Sequence, residues 1–514
     1  MIKVNPKLIT ILYRLSLLTA VCLTVYLRLI YPQSDAYSRL TWSSALITDE
    51  GFYMHNARNY VLYGHMITDH FNNMLIMPAL NYLQIIVFRI WGVGVVQTRD
   101  ISIVCSLITL VILWDGLKRL YNTDIAWLGT LMLGLGHAYL LYNRLGLMDT
   151  PGSLVLTLAW WTWVKFDNSE AEGYHWLFML GVVLGCIYWV RGLGALIWPV
   201  PFLLIYFQRD RDNTRKTKRQ LLWLAAGLLI PIAAYLMLWW IPYHTQLAEA
   251  NRYYIGYQLV PHSIGRLFEN IAISCFVWER GELPYLLKHM PVETSLTLGW
   301  LFLVIQRKNI VHKIDSSSDY CLYWAGIFFL FMSVVNYAPS RYFVLYYPAL
   351  CILSASMLHL LNQSTAAPIF KRSVIFGSAA LWLMVNIYWY QDWLGHITYR
   401  QIALSRWLGS HLPPNAVVFG DLAPGFCMSN KLRCVNVMHG LCNYRNTFWE
   451  AHGRPSYILI LDGRWKEGWW VKQYPQLVTS KFRVSEFNHI LRKSFVLGLY
   501  RVPSSVVNAA KYIK

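Results

Sequence analysis

The chain has 514 residues, of which 56% are hydrophobic and only 14% are charged, and its mean hydropathy is +0.36. Because soluble domains carry about a quarter charged residues, this composition excludes a soluble globular protein and predicts a protein that crosses a membrane several times. The formal net charge is +19, but Lys and Arg are concentrated in short loops and near the C-terminus. Membrane topology accounts for much of that excess, and no nucleic-acid partner is predicted.

About eleven apolar runs approach the roughly 20 residues that a helix needs to cross a bilayer. The first run lacks a small-residue cleavage site, so we expect it to stay as a membrane helix. The predicted fold class is therefore a polytopic α-helical membrane protein. The predicted spans are 8–30, 98–115, 124–142, 151–166, 174–190, 193–208, 221–241, 292–306, 320–337, 342–361 and 373–391.

A further apolar run, Met74–Trp91, is predicted to form a helix on the outer membrane surface. Counting it as a span would place the basic pair Lys118-Arg119 outside, against the positive-inside rule. With the N-terminus in the cytoplasm, the basic loops fall on the inner side, and Arg209–Arg219 is a topology anchor. Residues 1–395 are predicted to form a transmembrane domain, with a first outer loop that carries surface helices at 31–97 and a second large outer loop at 242–291.

The last part of the chain, 396–514, is predicted to be a small extracytoplasmic α/β domain. An amphipathic helix at Ile397–Leu412 precedes the strands, and the alternation of helix and strand favours a Rossmann-like sandwich. A helical pattern precedes the last predicted strand. The predicted strands are 416–420, 457–461 and 495–502.

Three cysteines of this domain, Cys427, Cys434 and Cys442, match no zinc-site spacing. In an oxidising exterior one disulfide is expected among them, with one cysteine left over and the pairing open. The sequence requires no cofactor and gives no support for a divalent metal. A group of interface residues in the first loop also fits no standard ligand pattern: His55, His65, Asp69 and His70.

Charged residues at the ends of membrane helices are costly and are therefore candidates for a functional site. Four predicted outer-side segments carry them. In this environment a carboxylate can orient or deprotonate an acceptor, and arginines can hold a departing phosphate by forked hydrogen bonds. The segments are Asp49-Glu50, the turn from Asn143 to Pro151 with Arg144 and Asp149, Arg191-Gly192, and Ser340-Arg341-Tyr342.

Structural roles are the alternative for several of these residues. Thr48 and Asp49 precede a helical pattern and fit a cap, Asp149 fits an N-cap before Pro151, and Arg144 fits a snorkelling side chain. Phosphate binding is favoured for Arg191 and Arg341, because each lies at an abrupt helix end beside Gly or Pro with no adjacent acidic residue.

The motifs resemble those of a known family. Asp49-Glu50-Gly51-Phe52-Tyr53, followed by Ala57-Arg58, is similar to the first-loop signature of C-type membrane glycosyltransferases. The nearest group includes the dolichyl-phosphate-mannose protein mannosyltransferases and the bacterial aminoarabinose transferase that acts on lipid A. The turns at 144–149, 190–193 and 339–342, and the later Tyr347-Pro348-Ala349-Leu350, resemble further motifs of the group. The resemblance covers roughly residues 1–390.

This resemblance implies specific roles. Asp49 would be the catalytic carboxylate and Asp149 a supporting one, while Arg191 and Arg341 would contact the lipid-linked phosphate. The remaining candidates for substrate binding are Glu50, Tyr53, Arg58, Arg144 and Tyr342. The chain departs from the group at His70–Met74, where relatives have a Lys/Pro-Pro-Leu-Tyr run, and it lacks the nearby metal-binding Glu. The resemblance therefore does not imply the metal or the acceptor of the lipid A enzyme.

The predicted function is an inverting glycosyltransferase of the plasma (inner) membrane. It would move a sugar from a polyprenyl phosphate carrier to a lipid, glycan or protein acceptor on the outer face. The alternative is a transporter or flippase for lipid-linked sugars that carries out no chemistry. The soluble mass on one predicted face and the lack of repeated broken helices favour the enzyme.

Overall fold

The computed structural model describes most of the chain. The described residues are 6–41, 46–64, 66, 73–169, 173–207, 214–253, 256, 259–278, 280–305, 316–364, 367–420, 422–437, 455–462, 480–488 and 496–502. Each predicted span coincides for most of its described length with helix. The first helices are α1 (Pro6–Leu29), α2 (Leu46–Tyr63), α3 (Asn73–Ile76), α4 (Pro78–Trp91), α5 (Val95–Leu120), α6 (Thr123–Leu135), α7 (His137–Asn143), α8 (Asp149–Asp167) and α9 (Tyr174–Val190).

A 3₁₀ turn at Gly192–Ile197 leads into the second group of helices. A π turn at Leu236–Trp240 follows α11, and a second 3₁₀ turn at Ser340–Leu345 lies between α16 and α17. The helices are α10 (Pro199–Phe207), α11 (Thr214–Tyr235), α12 (His244–Tyr253), α13 (Ile264–Phe276), α14 (Glu282–His289), α15 (Pro291–Ile305), α16 (Ser316–Val334), α17 (Tyr347–Gln363), α18 (Pro368–Gly395) and α19 (Arg400–His411).

Several of these helices are suited to a membrane. Within the described part, 4 segments are long and apolar enough to cross one, and a fifth is obtained if α6 and α7, bent by 58° at Gly136, count as one span. Three shorter apolar helical segments accompany them. The total of about eleven spans stays a prediction. The long segments are Thr10–Leu29, Val95–Leu120, Thr214–Trp240 and Pro368–His411.

The first large loop contains the predicted surface helix. The apolar run appears as α3 and α4, separated at Met77 because Pro78 begins a new helix. On α4, Leu80 is buried whereas Ile86 and Trp91 are more than half exposed. An apolar face that no part of the described protein covers is typical of a helix that lies on a membrane.

The C-terminal segment forms a five-stranded sheet with the order β2-β1-β3-β5-β4. Strands β1, β2 and β3 run parallel, and β5 and β4 continue the sheet in antiparallel pairing. The three predicted strands are present, but the sequence reasoning missed β2 and β4, and β4 lies within the stretch where a helical pattern is predicted. The elements are β1 (Val417–Gly420), a short helix α20 (Ala423–Phe426), β2 (Arg433–Asn436), β3 (Tyr457–Asp462), β4 (Arg483–Asn488) and β5 (Val496–Arg501).

This sheet domain packs directly on α2. A Cβ added at Gly51 would lie 2.3 Å from Gly425 Cα, so only glycine allows this approach of the two backbones. At a second contact, Asp35 accepts hydrogen bonds from the backbone N–H groups of Arg400 and Gln401 at 2.8 and 3.0 Å, at the start of α19. The helix that carries Asp49 is therefore held from the side by the C-terminal domain.

The contact predicts the effect of Gly51→Ala. A methyl group there would meet backbone atoms that cannot rotate away, and overpacking of this kind costs about 1–3 kcal/mol. We expect a lower unfolding temperature and faster protease cleavage of the C-terminal domain in detergent. Gly326→Ala on α16 is the control, because no atom lies within 4 Å of the added methyl. Equal stability of the two variants would contradict this packing.

Candidate active site

The opening residues of α2 place the first carboxylate. The helix begins at Leu46, so Thr48 and Asp49 lie within its first turn and not before it as the capping alternative requires. The Asp49 side chain is buried, with 8% of its surface exposed. Its carboxylate points to Arg341, whose Nη1 lies 2.6 Å from Asp49 Oδ2.

The second carboxylate begins α8. Met148 occupies the N-cap position and supplies no side-chain cap, and Asp149 is the first helical residue. The predicted capping role of Asp149 is therefore not seen among the described contacts. Its carboxylate is buried, with Oδ1 3.0 Å from Arg191 Nε and Oδ2 3.9 Å from Arg341 Nε.

The two arginines come from different breaks between helices. Arg191 follows α9 directly as its C-cap residue, and Arg341 lies in the 3₁₀ turn before α17. Close packing at Gly152 of α8 brings them near Asp149, since a Cβ there would lie 3.1 Å from Arg191 Cβ and 2.8 Å from Leu345 Cδ2. The predicted phosphate-binding arginines are thus brought together with both predicted carboxylates.

An aromatic ring completes the cluster. The Tyr342 ring lies under both guanidinium groups, with Arg191 Cζ 4.4 Å and Arg341 Cζ 5.1 Å from its centre. Such cation–π contacts stabilise an arginine without using its N–H donors. Arg191 Nη1 donates to Met148 Sδ at 3.3 Å, and other N–H groups of the two arginines stay available to the carboxylates or to a ligand.

The ion pairs leave hydrogen-bonding capacity unused. Arg191 Nη2 and Arg341 Nε are buried and have no well-directed hydrogen bond among the described residues, and the same is true of Asp49 Oδ2 and both oxygens of Asp149. The close contacts are thus mainly charge pairing. Buried polar atoms normally find partners, so this arrangement has the donors and acceptors that a polar, anionic ligand would satisfy.

Burial also changes the pKa of the first carboxylate, that of Asp49. Burial raises the pKa of Asp49 to about 6, and Asp149 adds to the rise while Arg341 opposes it. Tyr53, one turn further along α2, is buried beside the same four charges, and burial raises the pKa of its hydroxyl well above the usual value. Asp49 is therefore a base that is ionised near neutral pH and can still accept a proton.

Glu50 has a different set of partners from Asp49. Arg99 donates to both carboxylate oxygens of Glu50, with Nε 2.8 Å from Oε1 and Nη2 2.5 Å from Oε2. The Gly146 N–H also donates to Oε1, at 2.7 Å. Arg99 also donates to the carbonyls of Pro32 and Ser34. These contacts join α2, α5 and the turn before Asp149, and a substrate contact of Glu50 stays a prediction.

Arg99 is the residue that the sequence analysis missed. A charged residue within the apolar run that begins at 98 is a signal for a functional or structural cluster, and it could have pointed to Arg99. The side chain of Arg99 is 4% exposed and that of Glu50 is fully buried.

Two further predicted substrate-binding residues contact backbone carbonyls. Arg144 donates to the carbonyls of Leu27, Ile30 and Tyr31 at the end of α1, so it is held inside the protein and does not snorkel. Arg58 donates from Nη2 to the carbonyls of Asn430 and Leu432 at 2.9 and 2.7 Å. Arg144 therefore connects its turn to the end of α1, and Arg58 connects α2 to the C-terminal domain.

Within the part of the chain that the structure describes, no group of three or more His, Cys, Asp or Glu side chains is arranged to hold a metal ion. His55 contacts Asn59 and Cys434, while His65, Asp69 and His70 lie outside the described residues. Cys427 and Cys434 are both unbridged thiols. A bridge to Cys442 falls outside the described part.

The helices have the fold of the C-type membrane glycosyltransferases, which the sequence motifs resemble. Residues 77–240 match the family model for dolichyl-phosphate-mannose-protein mannosyltransferase. This range includes Asp149 and Arg191 and ends before Arg341.

Solved structures confirm the fold. ArnT from Cupriavidus metallidurans bound to undecaprenyl phosphate is 14% identical with a TM-score of 0.60, over 95% of this chain and 98% of that one. The archaeal oligosaccharyltransferase AglB from Archaeoglobus fulgidus, in complex with an inhibitory peptide and a dolichol-phosphate, is 12% identical with a TM-score of 0.57, over 87% and 69%. At such identities the similarity establishes the fold alone.

One relative was found by sequence. A protein of Aquifex aeolicus (strain VF5), described as uncharacterized, is 20% identical over 346 residues. The alignment spans 66% of this chain and 64% of the relative. The chain thus matches a little under two thirds of that relative's length.

The Glu50–Arg99 pair predicts the cost of Glu50→Gln. The variant leaves the buried Arg99 charge uncompensated, and breaking a buried pair costs about 3–5 kcal/mol. We expect a clear drop in unfolding temperature. Tryptophan fluorescence in detergent measures this temperature. Glu269→Gln is the matched control, because its pair with Arg266 is 55% exposed on the glutamate side and exposed pairs contribute about 0–1 kcal/mol. Similar losses in both variants would argue against a supporting role for Glu50.

Proposed function

We propose that the protein is an inverting glycosyltransferase that moves a sugar from a polyprenyl phosphate carrier to an acceptor on the outer face of the plasma membrane. The observation that carries this proposal is the buried cluster of Asp49, Arg341, Asp149 and Arg191. The fold similarity supports it, since ArnT was solved with undecaprenyl phosphate and AglB with a dolichol-phosphate.

The donor phosphate would bind to the two arginines. Arg191 Nη2 and Arg341 Nε have unused donor capacity within the described structure, and guanidinium groups match phosphate oxygens in geometry and charge. Stacking on Tyr342 keeps both groups in place as the ligand enters. Asp149 would hold Arg191 in position from the opposite side.

Phosphate binding would also activate Asp49. In the structure Arg341 pairs with Asp49 and lowers its pKa. A phosphate that takes over Arg341 removes part of this stabilisation, so the Asp49 carboxylate becomes a stronger base only when the donor is present. Substrate binding and base activation are then linked through one guanidinium group.

The chemical step follows from this arrangement. Asp49 accepts the proton of an acceptor hydroxyl or amine as that atom bonds to the anomeric carbon of the sugar. The bond from the anomeric carbon to the phosphate oxygen breaks, and the charge of the leaving polyprenyl phosphate is neutralised by Arg191 and Arg341. Direct displacement inverts the anomeric configuration.

A transporter without chemistry is not favoured. The matching family model is that of a mannosyltransferase and AglB is an oligosaccharyltransferase. A carboxylate with a raised pKa beside two arginines with unused donors is also more typical of a catalytic site than of a simple binding site. The proposed orientation has the N-terminus in the cytoplasm, and the site and the C-terminal domain on the outer side. The acceptor class is a lipid, glycan or protein.

Asp49→Asn tests the base. In folded protein supplied with polyprenyl-phospho-sugars of several kinds, we expect the release of polyprenyl phosphate to fall about 100- to 10,000-fold, the usual contribution of a general base. Mass spectrometry of the extracted lipids measures the release. Asp100→Asn, at an exposed carboxylate on α5, is the control and should keep wild-type activity. Near-full transfer by Asp49→Asn would overturn the assignment.

The raised pKa predicts a pH profile. Because Asp49 must be ionised to accept a proton, and burial raises its pKa to about 6, kcat/KM should rise about tenfold per pH unit below that value and level off above it. Initial rates between pH 4.5 and 8.5, with stability checked at each pH by unfolding temperature, give the profile. A flat profile across this range would exclude Asp49 as the base.

A further inference from the structure

A group of buried hydroxyls lies beside the turn that carries Arg341. The Oγ of Ser340, the residue before Arg341, lies 2.8 Å from the hydroxyl oxygen of Tyr142 and 3.0 Å from Oγ1 of Thr41. The Tyr142 hydroxyl also lies 3.1 Å from the backbone carbonyl oxygen of Leu40. Ser340 and Tyr142 are each 1% exposed. Hydrogen bonds at such a depth are little weakened by competing water.

These hydroxyls join segments that are distant in sequence. Tyr142 lies on α7, Ser340 begins the 3₁₀ turn, and Leu40 belongs to the segment before α2. A residue of α14 adds a fourth segment, because the Tyr285 hydroxyl donates to the same Leu40 carbonyl at 3.0 Å. The turn is therefore connected with α7, with α14 and with the segment that leads to α2.

The far end of the turn contacts α14 as well. Tyr346, which follows the turn, donates its hydroxyl hydrogen bond to Oε1 of Glu282 on α14. Within the turn, the Phe343 ring meets the Tyr285 ring edge to face, with 5.3 Å between their centres. Contacts on both sides of Arg341 thus restrain the backbone from which its side chain extends.

The position of Arg341 affects the base of the proposed reaction. Its Nη1 lies 2.6 Å from Asp49 Oδ2. The charges of Arg341 and Arg191 lower the pKa of Asp49, whereas burial, Asp149 and Glu50 raise it. In the proposed reaction the same Arg341 guanidinium neutralises the leaving phosphate. A shift of this turn would therefore change both the base and the neutralisation of the leaving group.

We propose that Tyr142 is a positioning residue for Arg341. Through Ser340, its hydroxyl holds the 3₁₀ turn so that the guanidinium group faces both Asp49 and the donor phosphate. This inference rests on the proposed function, which supplies the phosphate. The role belongs to the hydroxyl and not to the ring, so Tyr142→Phe removes it and leaves the packing of the ring in place.

The pH profile of the proposed transfer tests this role. In Tyr142→Phe a less firmly held Arg341 lowers the pKa of Asp49 by less, so the acid limb of kcat/KM should move to higher pH by up to about one unit. The plateau should fall by up to about 100-fold, because the leaving phosphate is less well neutralised. Mass spectrometry of released polyprenyl phosphate gives the rates. A wild-type acid limb in the folded variant would overturn the proposal even with a lower plateau, since a general structural loss lowers the plateau alone.

Tyr390→Phe is the matched control. The Tyr390 hydroxyl donates to the Leu135 carbonyl at 2.8 Å, and Tyr390 lies on α18. The variant therefore also loses a hydrogen bond from a tyrosine hydroxyl, but at a place other than the Arg341 turn. We expect a similar change in unfolding temperature and a wild-type acid limb. Equal shifts of the acid limb in Tyr390→Phe and Tyr142→Phe would contradict a specific role of Tyr142.

Ser340→Ala removes the same hydrogen bond from its other side. It should move the acid limb in the same direction as Tyr142→Phe, and the double variant should move it by less than the sum of the two single shifts. If one single variant fails to fold, the other one decides. Fully additive shifts would show that Tyr142 acts independently of Ser340, and the proposal would be wrong.

Hydrogen exchange separates this proposal from the proposed function, because it needs no donor. In detergent without substrate, the backbone N–H groups of residues 340–346 should exchange faster in Tyr142→Phe than in Tyr390→Phe. Equal exchange in the two variants would exclude the positioning role. If the wild-type protein released polyprenyl phosphate from no donor, the proposed function would fail, while the exchange rates would still decide whether Tyr142 holds the turn.

Discussion

The ion pair between Arg341 and Asp49 is the contact on which the site depends. Its two residues lie far apart in sequence, and both are buried, so neither charge is tolerated without the other. Asp149 and Arg191 extend the pair to a cluster of two negative and two positive groups. The helix ends that carry these four residues must therefore lie together for the charges to be paired. Some arginine N–H groups of the cluster have no well-directed hydrogen bond among the described residues and are available to an anionic ligand.

The adjacent acidic residues of α2, Asp49 and Glu50, have different partners and different roles. Successive side chains on a helix point about 100° apart, so Asp49 faces the arginine cluster while Glu50 faces Arg99 on the other side. Glu50 also binds the N–H of Gly146, in the turn that leads to Asp149. One residue carries the proposed chemistry, and its neighbour holds the two carboxylate-bearing elements together.

The C-terminal domain is part of this support. It meets α2 through the glycine contact at Gly51, through Arg58 and through Cys434. The sequence predicts the domain and its three main strands, because alternating apolar runs are a local signal. It does not predict β2, which is short and polar at its start, or the contact with α2, which depends on long-range packing.

The sequence alone predicts the membrane class, the helical segments and the order of the motifs, because hydrophobic length and helix breaks are properties of neighbouring residues. It also singled out Asp49, Asp149, Arg191 and Arg341, which the structure brings together. The partners of the other candidate residues depend on the tertiary structure. Glu50 and Arg144 turn to Arg99 and to the end of α1, because the direction of a buried charge depends on which distant helix packs beside it.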